Sequence, residues 1–200
     1  MNISLKGLFY QILIDPILSK LHNGITTNID FSDRIIDIAC GTGSLSLAIA
    51  KKAEFVTGID LSEEIIATAK RTAKRQAVHN VKFENHDASD LSCYKDKEFD
   101  VALTSMAIHQ FDSELAIRIL AEMKRISSKQ IIVDYNYPMP KGFSRSIAYG
   151  IEKLAGGDHY RNFRVYMGKG GIQYFLSESG LAEKSSIIRG NGVFVIIVCG

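Results

Sequence analysis

The sequence predicts an α/β protein built on a doubly wound, Rossmann-like sheet of seven strands that is mixed rather than wholly parallel. From residue 33 onward, short apolar runs alternate with amphipathic helical segments, which is the pattern of a parallel sheet covered by helices on both faces. A glycine-rich turn, Gly41-Thr42-Gly43, follows the first apolar run. Near residue 200, two β-rich runs flank Gly190-Asn191-Gly192, and Asn-Gly between such runs favours an antiparallel hairpin.

The predicted elements follow one another in a regular order. The first five strands are expected at 34–39, 55–60, 81–87, 99–106 and 130–137, with helices at 44–53, 62–78 and 113–126. Residues 138–182 are longer than a usual connection, so a helical cap insertion is expected there, between the fifth and sixth strands. Its helices are expected to break at Gly156–Gly157 and Gly170–Gly171. An extra helix pair without a ligand is the alternative interpretation of this segment.

The composition is that of one ordinary globular domain. The chain has 200 residues, of which 46% are hydrophobic and 23% charged, so a single domain with one sizeable core is expected over residues 1–200. The net charge of +2 gives no reason to expect a nucleic acid or a membrane surface as partner. The three cysteines form no Cys-x-x-Cys pair, which argues against a zinc site and favours a reduced, cytoplasmic setting.

Residues 1–30 are expected to form an N-terminal helical segment that packs on the domain. Charged residues such as Lys6 and Asp15 interrupt its apolar runs. No run therefore approaches the ~20 residues of a membrane span, and no membrane insertion is expected. The helix is expected to break or kink near Pro16.

Three aspartates are expected beside the glycine-rich turn. Asp37 lies within the first strand, while Asp60 and Asp87 end the second and third strands. Because the carboxyl ends of parallel strands meet at one edge of the sheet, all three lie at or near one rim. An acid about 20 residues beyond the glycine turn binds ribose hydroxyls. Three carboxylates suit a cationic, adenosine-bearing ligand better than a pyrophosphate, and Ser46 stands where a dinucleotide fingerprint has its third glycine.

These motifs resemble the class I S-adenosylmethionine-dependent methyltransferases over essentially the whole chain from residue 33. The resemblance implies S-adenosylmethionine as the cofactor and methyl transfer as the reaction. It places Asp60 on the ribose hydroxyls, Asp87 on the adenine amino group, Leu61 and Ala88 beside the adenine ring, and Asp37 near the cofactor's amino group. Asp60 and Asp87 also have an ordinary interpretation, as turn polarity ahead of a helix and as a loop acid. The cofactor-binding residues implied are Asp37, Ala39, Gly41, Gly43, Asp60, Leu61, Asp87, Ala88 and Ser105.

The segment after the fourth strand, residues 104–112, is where this family places groups close to the transferred methyl. It loosely resembles the Leu-His-His-x-x-Asp pattern of small-molecule methyltransferases: Ile108-His109 match the first two positions, Gln110 replaces the second histidine, and Asp112 comes one residue early. His109 is the candidate general base, because its near-neutral pKa suits proton removal. The alternative is that His109 only shapes the loop, since methyl transfer often needs only positioning of a good nucleophile.

A small-molecule acceptor is expected, with no nucleic acid as partner. The fourth strand lacks the Asn/Asp-Pro-Pro-Tyr signature of nucleobase amino methylation, and the basic run at 70–75 is more often a solvated helix face. The overall resemblance is to the group that contains quinone-biosynthesis methyltransferases, and no metal is implied. A nicotinamide-dependent oxidoreductase and a non-catalytic S-adenosylmethionine-binding protein are the alternatives. Aromatic and polar residues suit a partly apolar acceptor, and the candidates are Tyr135, His159, Tyr160 and Phe163.

Overall fold

A computed structural model describes residue 21 and residues 24–200 of the chain. Residues 1–20 and 22–23 lie outside the described residues. Most of the predicted N-terminal helical segment, including the expected kink at Pro16, therefore falls outside them.

One seven-stranded sheet organises the described chain, in the order β3-β2-β1-β4-β5-β7-β6. Strands β1 to β5 run parallel, whereas β7 pairs antiparallel with both β5 and β6. The strand order reverses between β1 and β4, and such a switch point opens a crevice at the carboxyl ends of the strands. The mixed sheet and its closing hairpin confirm the predicted fold class. The strands are β1 (Arg34–Ile38), β2 (Phe55–Asp60), β3 (Val81–Asn85), β4 (Phe99–Ser105), β5 (Ser127–Tyr135), β6 (Glu183–Arg189) and β7 (Phe194–Cys199).

Six helices and one short 3-10 helix connect the strands within the part of the chain that the structure describes. Two of them begin at side-chain caps: Ser62 Oγ accepts the N–H of Ile65 before α2, and Asp112 Oδ1 accepts the N–H of Leu115 before α3, which satisfies N–H groups that the helix leaves open. The helices are α1 (Ser44–Ile49), α2 (Glu63–Arg75), α3 (Ser113–Ile126), α4 (Phe143–Ala155), α5 (Gly157–Gly168) and α6 (Ile172–Ser179), with the 3-10 helix at Ile108–Gln110.

Element boundaries differ from the sequence prediction where polar side chains bind the backbone. Strand β5 starts at Ser127 rather than at 130. Ser127 and Gln130 are both buried, and the side-chain amide Nε2 of Gln130 donates to the hydroxyl and to the carbonyl of Ser127. Strand β3 ends at Asn85 rather than at 87, and Asp87 turns the chain by accepting the N–H of Ser89. Helix α1 ends at Ile49, four residues before the predicted end.

The predicted cap insertion consists of α4, α5 and α6, and its breaks fall at the predicted glycine pairs. The connections are Gly156 between α4 and α5, and residues 169–171 between α5 and α6. Phe163, Tyr166 and Phe175 of the cap are buried in the same core cluster as Ile36 of β1. Ile35, on the opposite face of β1, belongs to a second cluster together with Leu21 and Ile25. The cap is therefore packed onto one face of the sheet.

The glycine-rich turn requires glycine at residue 43 for two reasons. Gly43 has a φ of 76°, in the left-handed region, and it immediately precedes α1. A Cβ built on Gly43 would overlap the ring of Phe83 and lie 3.2 Å from Cβ of Ala69. The close approach of α1 to β3 and α2 therefore depends on the missing side chain.

We expect Gly43→Ala to destabilise the fold, whereas Gly150→Ala is not expected to. The first substitution combines left-handed strain with overpacking against Phe83, so it is expected to lower the free energy of unfolding by about 2 to 4 kcal/mol. Gly150 lies within α4, and a Cβ there would meet no atom within 4 Å. Its replacement is expected to raise the free energy of unfolding by up to about 1 kcal/mol, through helix propensity. Urea denaturation of both variants measures the difference, and equal effects would contradict the proposed packing.

Candidate functional site

The glycine turn and Asp60 form one hydrogen-bonded unit at the carboxyl ends of β1 and β2. Asp60 Oδ2 accepts the N–H of Gly41 at 3.0 Å, and its Oδ1 accepts the N–H of Ser62 at 3.0 Å. The N–H of Cys40 donates to the carbonyl of Ile59. Since an ionised carboxylate has about four acceptor positions, Asp60 keeps acceptor capacity for ligand hydroxyls after binding both backbone groups.

Asp37 is a buried carboxyl group in β1, four residues before Gly41. Its side chain is 1% exposed, and Ser46 Oγ of α1 donates a short hydrogen bond to its Oδ2. The pKa of Asp37 is raised to about 7: burial and, to a smaller extent, the nearby Asp60 raise it, and together they outweigh the hydrogen bond from Ser46, which lowers it. Ser46 was noted in the sequence only as the replacement for a glycine, whereas the structure makes it the partner of Asp37.

The remaining predicted cofactor residues lie along the same edge of the sheet. Asp87 is exposed, and its pKa is lowered because the N–H and hydroxyl of Ser89 bind its carboxylate. Leu61 is 73% exposed, and Ala88 packs at the margin of the core. Ser105 ends β4. We call Asp37, Gly41, Asp60 and Asp87 the aspartate rim.

The predicted catalytic and acceptor residues converge in a second group at the carboxyl ends of β4 and β5. His109 lies in the 3-10 helix after β4 and is fully buried. Its ring centroid is 4.8 Å from that of Tyr135, 5.7 Å from that of His159 and 6.1 Å from that of Phe163. Tyr160 packs at the edge of this group, with its ring 6.4 Å from Phe163. The structure thus brings together residues that are up to 54 positions apart in the sequence.

Two carboxylates that the sequence analysis did not select complete this group. Asp134 of β5 binds His109 twice: Oδ1 lies 2.6 Å from Nδ1 and Oδ2 accepts the backbone N–H at 3.1 Å. Because an ionised carboxylate only accepts, Nδ1 carries a hydrogen. Glu152 of α4 lies on the other side, with Oε1 3.5 Å from Nε2 of His109. Burial lowers the pKa of His109, but the two carboxylates outweigh it and raise the pKa to about 9.

Glu152 connects the cap to the sheet. Its Oε1 accepts the hydroxyl of Tyr135 at 2.7 Å, and its Oε2 lies 2.6 Å from Nε2 of His159. Burial alone would raise the pKa of Glu152, but contacts with His109, His159 and Tyr135 hold that pKa well below its usual range. We call His109, Asp134, Tyr135, Glu152 and His159 the histidine cluster.

Part of the histidine cluster had a signal in the sequence. Asp134 interrupts an apolar strand in the same manner as Asp37, and such a carboxylate must find partners when it is buried. Glu152 follows Ala148 by four residues, and both are buried residues of α4. A glutamate at the buried position of an amphipathic helix therefore marks a polar contact.

A methyltransferase family model and several curated relatives match part of this chain. A family model described as a methyltransferase domain matches residues 35–130. The uncharacterized methyltransferase YcgJ of Bacillus subtilis is 29% identical over 106 residues, which covers 52% of this chain and 42% of that protein. An uncharacterized RNA methyltransferase of Streptococcus pneumoniae is 38% identical over 64 residues, 32% of this chain and 14% of that protein. The chain thus spans less than half the length of these curated relatives.

Solved structures share the fold at low sequence identity. A SAM-dependent methyltransferase from Aquifex aeolicus has a TM-score of 0.63 at 15% identity, covering 90% of this chain and 92% of that one. The mitomycin 7-O-methyltransferase MmcR has a TM-score of 0.72 at 15% identity, covering 98% and 58%. Magnesium protoporphyrin IX methyltransferase from Synechocystis, with bound SAH, has a TM-score of 0.60 at 18% identity, covering 96% and 84%. None of the helices within the described ranges has the length and hydropathy that a bilayer crossing requires.

We expect Asp37→Asn to stabilise the unliganded protein more at pH 8 than at pH 5. With its pKa raised from 3.8 to about 7, the folded state binds more protons at Asp37 than the unfolded state between those values, so ionisation of Asp37 opposes folding as the pH rises. The asparagine does not ionise. The stability gain of the variant is therefore expected to grow by on the order of 2 kcal/mol between the two pH values.

The measurement for Asp37→Asn is urea denaturation of both proteins at pH 5 and pH 8. Comparing the two proteins at each pH cancels the titration of the histidine cluster, which both share. A stability difference that does not change with pH would show that Asp37 ionises in the folded protein as it does in the unfolded chain.

Proposed function

We propose that this chain is a class I S-adenosylmethionine-dependent methyltransferase, as the family match over residues 35–130 and the shared fold support, and that it transfers a methyl group from S-adenosylmethionine to a small-molecule acceptor. One observation carries the proposal: the aspartate rim and the histidine cluster occupy the carboxyl ends of adjacent strands. Asp37 of β1 pairs in register with Leu103 of β4, and Ser105 of β4 pairs with Val133, next to Asp134. A cofactor at the rim therefore faces residues of the cluster across one strand spacing, about 5 Å per strand.

The aspartate rim supplies the chemistry that the cofactor requires. S-adenosylmethionine carries a positive sulfonium and an amino group, and Asp37 is a buried acid at the end of β1, just before the glycine turn. A positive ligand there favours the ionised form of Asp37, which burial alone disfavours. Asp60 keeps free lone pairs for the ribose hydroxyls while it holds the turn through Gly41. No phosphate-binding feature is needed for this ligand.

The histidine cluster forms the acceptor side of the proposed site. In-line displacement at the sulfonium methyl needs a nucleophile aligned behind the carbon and protection from water. The aromatic residues Tyr135 and Phe163 are buried beside His109, so they supply apolar walls. His159 keeps 23% of its side chain exposed, which leaves the cluster open to solvent on the cap side.

The raised pKa of His109 favours a positioning role over proton abstraction. At pH 7 a histidine with a pKa of about 9 is protonated and cannot accept a further proton. The double contact of His109 with Asp134 also fixes the loop between β4 and α3. We therefore propose that His109 orients the loop that faces the methyl group, which is the second of the two roles considered for it.

The breadth of the structural similarity supports a small-molecule acceptor. The mitomycin and magnesium protoporphyrin methyltransferases, both named for small-molecule acceptors, align with 98% and 96% of this chain, cap included. Relatives named as RNA methyltransferases match over segments that make up only 12% to 20% of their own length. RNA is the alternative acceptor, and it is tested in parallel with small molecules.

We expect Asp60→Asn to weaken binding of S-adenosylmethionine by about 10- to 100-fold, because hydrogen bonds to a charged group contribute about 1.5 to 3 kcal/mol. The asparagine carbonyl retains one of the two acceptor atoms that hold the loop. Glu64→Gln is the matched control, since Glu64 is an exposed acid in the first turn of α2. Calorimetric titration with S-adenosylmethionine, S-adenosylhomocysteine and NAD gives the affinities.

Equal affinities of Asp60→Asn and Glu64→Gln would contradict the assignment of the ribose site. Binding of NAD alone would overturn the methyltransferase assignment in favour of a nicotinamide-dependent oxidoreductase. Methyl transfer is then assayed with labelled S-adenosylmethionine against a panel of hydroxylated and amino aromatic compounds, and in parallel against total RNA. Labelling of RNA alone would contradict the small-molecule proposal, and cofactor binding with no labelled product in either arm would favour a non-catalytic binding protein.

A further inference from the structure

We propose that the histidine cluster is a binding site for a divalent transition-metal ion, held by Nε2 of His109, the carboxylate of Glu152 and Nε2 of His159. One ligand atom from each of these residues lies within 4.8 Å of the other two. The three residues lie on three different elements, the 3-10 helix, α4 and α5, so their spacing along the chain does not form a metal-binding motif. This inference does not depend on the proposed methyl transfer.

Asp134 prepares His109 for this role. A metal-binding histidine commonly donates its second ring N–H to a carboxylate, which fixes the tautomer and the direction of the ring. Here Oδ1 of Asp134 lies 2.6 Å from Nδ1 of His109, and the backbone N–H of His109 binds Oδ2 of the same carboxylate. The ring is thereby held with Nε2 directed at Glu152.

The break between α4 and α5 is what brings Glu152 and His159 together. The two residues are seven positions apart, so in one continuous helix they would be separated by about 10 Å along the axis. Gly156 interrupts the helix with φ 69° and ψ −170°, a conformation that is essentially restricted to glycine. After this turn, Oε2 of Glu152 and Nε2 of His159 are 2.6 Å apart.

The donor set fits a borderline metal ion. Two imidazoles and one carboxylate form the protein ligands of several catalytic zinc sites and of facial-triad iron sites. Zinc–ligand distances near 2.0 Å in a tetrahedral arrangement place ligand atoms about 3.3 Å apart. Nε2 of His109 and Oε1 of Glu152 are already 3.5 Å apart. Nε2 of the partly exposed His159 lies 2.6 Å from Oε2 of Glu152, so it needs to move away from that oxygen by less than 1 Å to reach the same separation.

The surroundings also match the requirements of a metal site. Tyr135 donates its hydroxyl to Oε1 of Glu152, so the carboxylate is oriented from outside the ligand set. His159 is 23% exposed and gives an entry path from solvent. A divalent ion would bind between Nε2 of His109 and Oε1 of Glu152, which lie 3.5 Å apart. Three protein ligands leave at least one coordination position open, as in catalytic rather than structural zinc sites.

The experiment is a titration of the metal-stripped, full-length protein with Zn²⁺ by calorimetry and with Co²⁺ by visible absorption. His159→Gln removes the most exposed ligand and is therefore expected to fold. His86→Gln is the matched control: Nε2 of His86 lies 3.6 Å from Sγ of Cys93 in an exposed pair, which is the place where adventitious Zn²⁺ binding is most easily confused with the proposed site. Asp134→Asn tests the second contact of His109.

We expect one equivalent of Zn²⁺ to bind the wild type and His86→Gln with equal affinity, and His159→Gln to bind it at least tenfold more weakly. Asp134→Asn is expected to bind Zn²⁺ about 10- to 100-fold more weakly, which is the usual effect of removing a carboxylate that orients a metal-binding histidine. Co²⁺ is expected to give the intense visible bands of a four- or five-coordinate site in the wild type and in His86→Gln, but not in His159→Gln. The proposal is overturned if the wild type binds no Zn²⁺, if His159→Gln binds it unchanged, or if binding is lost in His86→Gln.

Discussion

The buried carboxylate of Glu152 is the interaction on which the arrangement of the cap depends. It is 0% exposed and receives contacts from Tyr135 of the sheet, His109 of the β4 loop and His159 of α5. A buried charge that loses one of its partners typically costs about 3 to 5 kcal/mol. The cap cannot therefore be displaced from the sheet without leaving at least one of these groups uncompensated. Asn162 of α5 adds a further link by donating to the carbonyl of Gln110.

Two aspartates, each the last but one residue of its strand, acquire different properties from different partners in β1 and β5, the two strands that flank β4. Asp37 and Asp134 both interrupt buried apolar strands, and both are almost completely inaccessible. Asp37 has one hydroxyl donor, from Ser46, so desolvation dominates and its pKa rises to about 7. Asp134 instead binds a histidine ring and the backbone N–H groups of His109 and Tyr135. The first is suited to respond to a cationic ligand, whereas the second holds a side chain in place.

The sheet, the helices between its strands and the positions of Asp37 and Asp60 in β1 and β2 could be predicted from the sequence, because each is encoded by local pattern or by short spacing. Strand β2 begins and ends at the predicted residues, and the cap breaks at the predicted glycines. The histidine cluster was predicted only in part. The sequence pointed to His109, Tyr135 and His159, but not to the carboxylates of Asp134 and Glu152. The pairing of Glu152 with His159 depends on the backbone at Gly156, and the direction of a chain after such a break is not contained in hydrophobic periodicity.

The ends of β1 and β4 show how the two groups come to face one crevice. Each strand is followed by a non-glycine residue in the left-handed region: Ala39 with φ 57° and Met106 with φ 56°. Such conformations persist only where surrounding contacts determine them. Here the next N–H after Ala39, that of Cys40, binds the carbonyl of Ile59, and the N–H of Met106 binds that of Val133. The backbone therefore leaves the sheet abruptly at the ends of β1 and β4, which are adjacent strands. The loops that carry Gly41 and His109 start from the same edge of the sheet. Backbone strain at these two residues is thus part of what places the aspartate rim beside the histidine cluster.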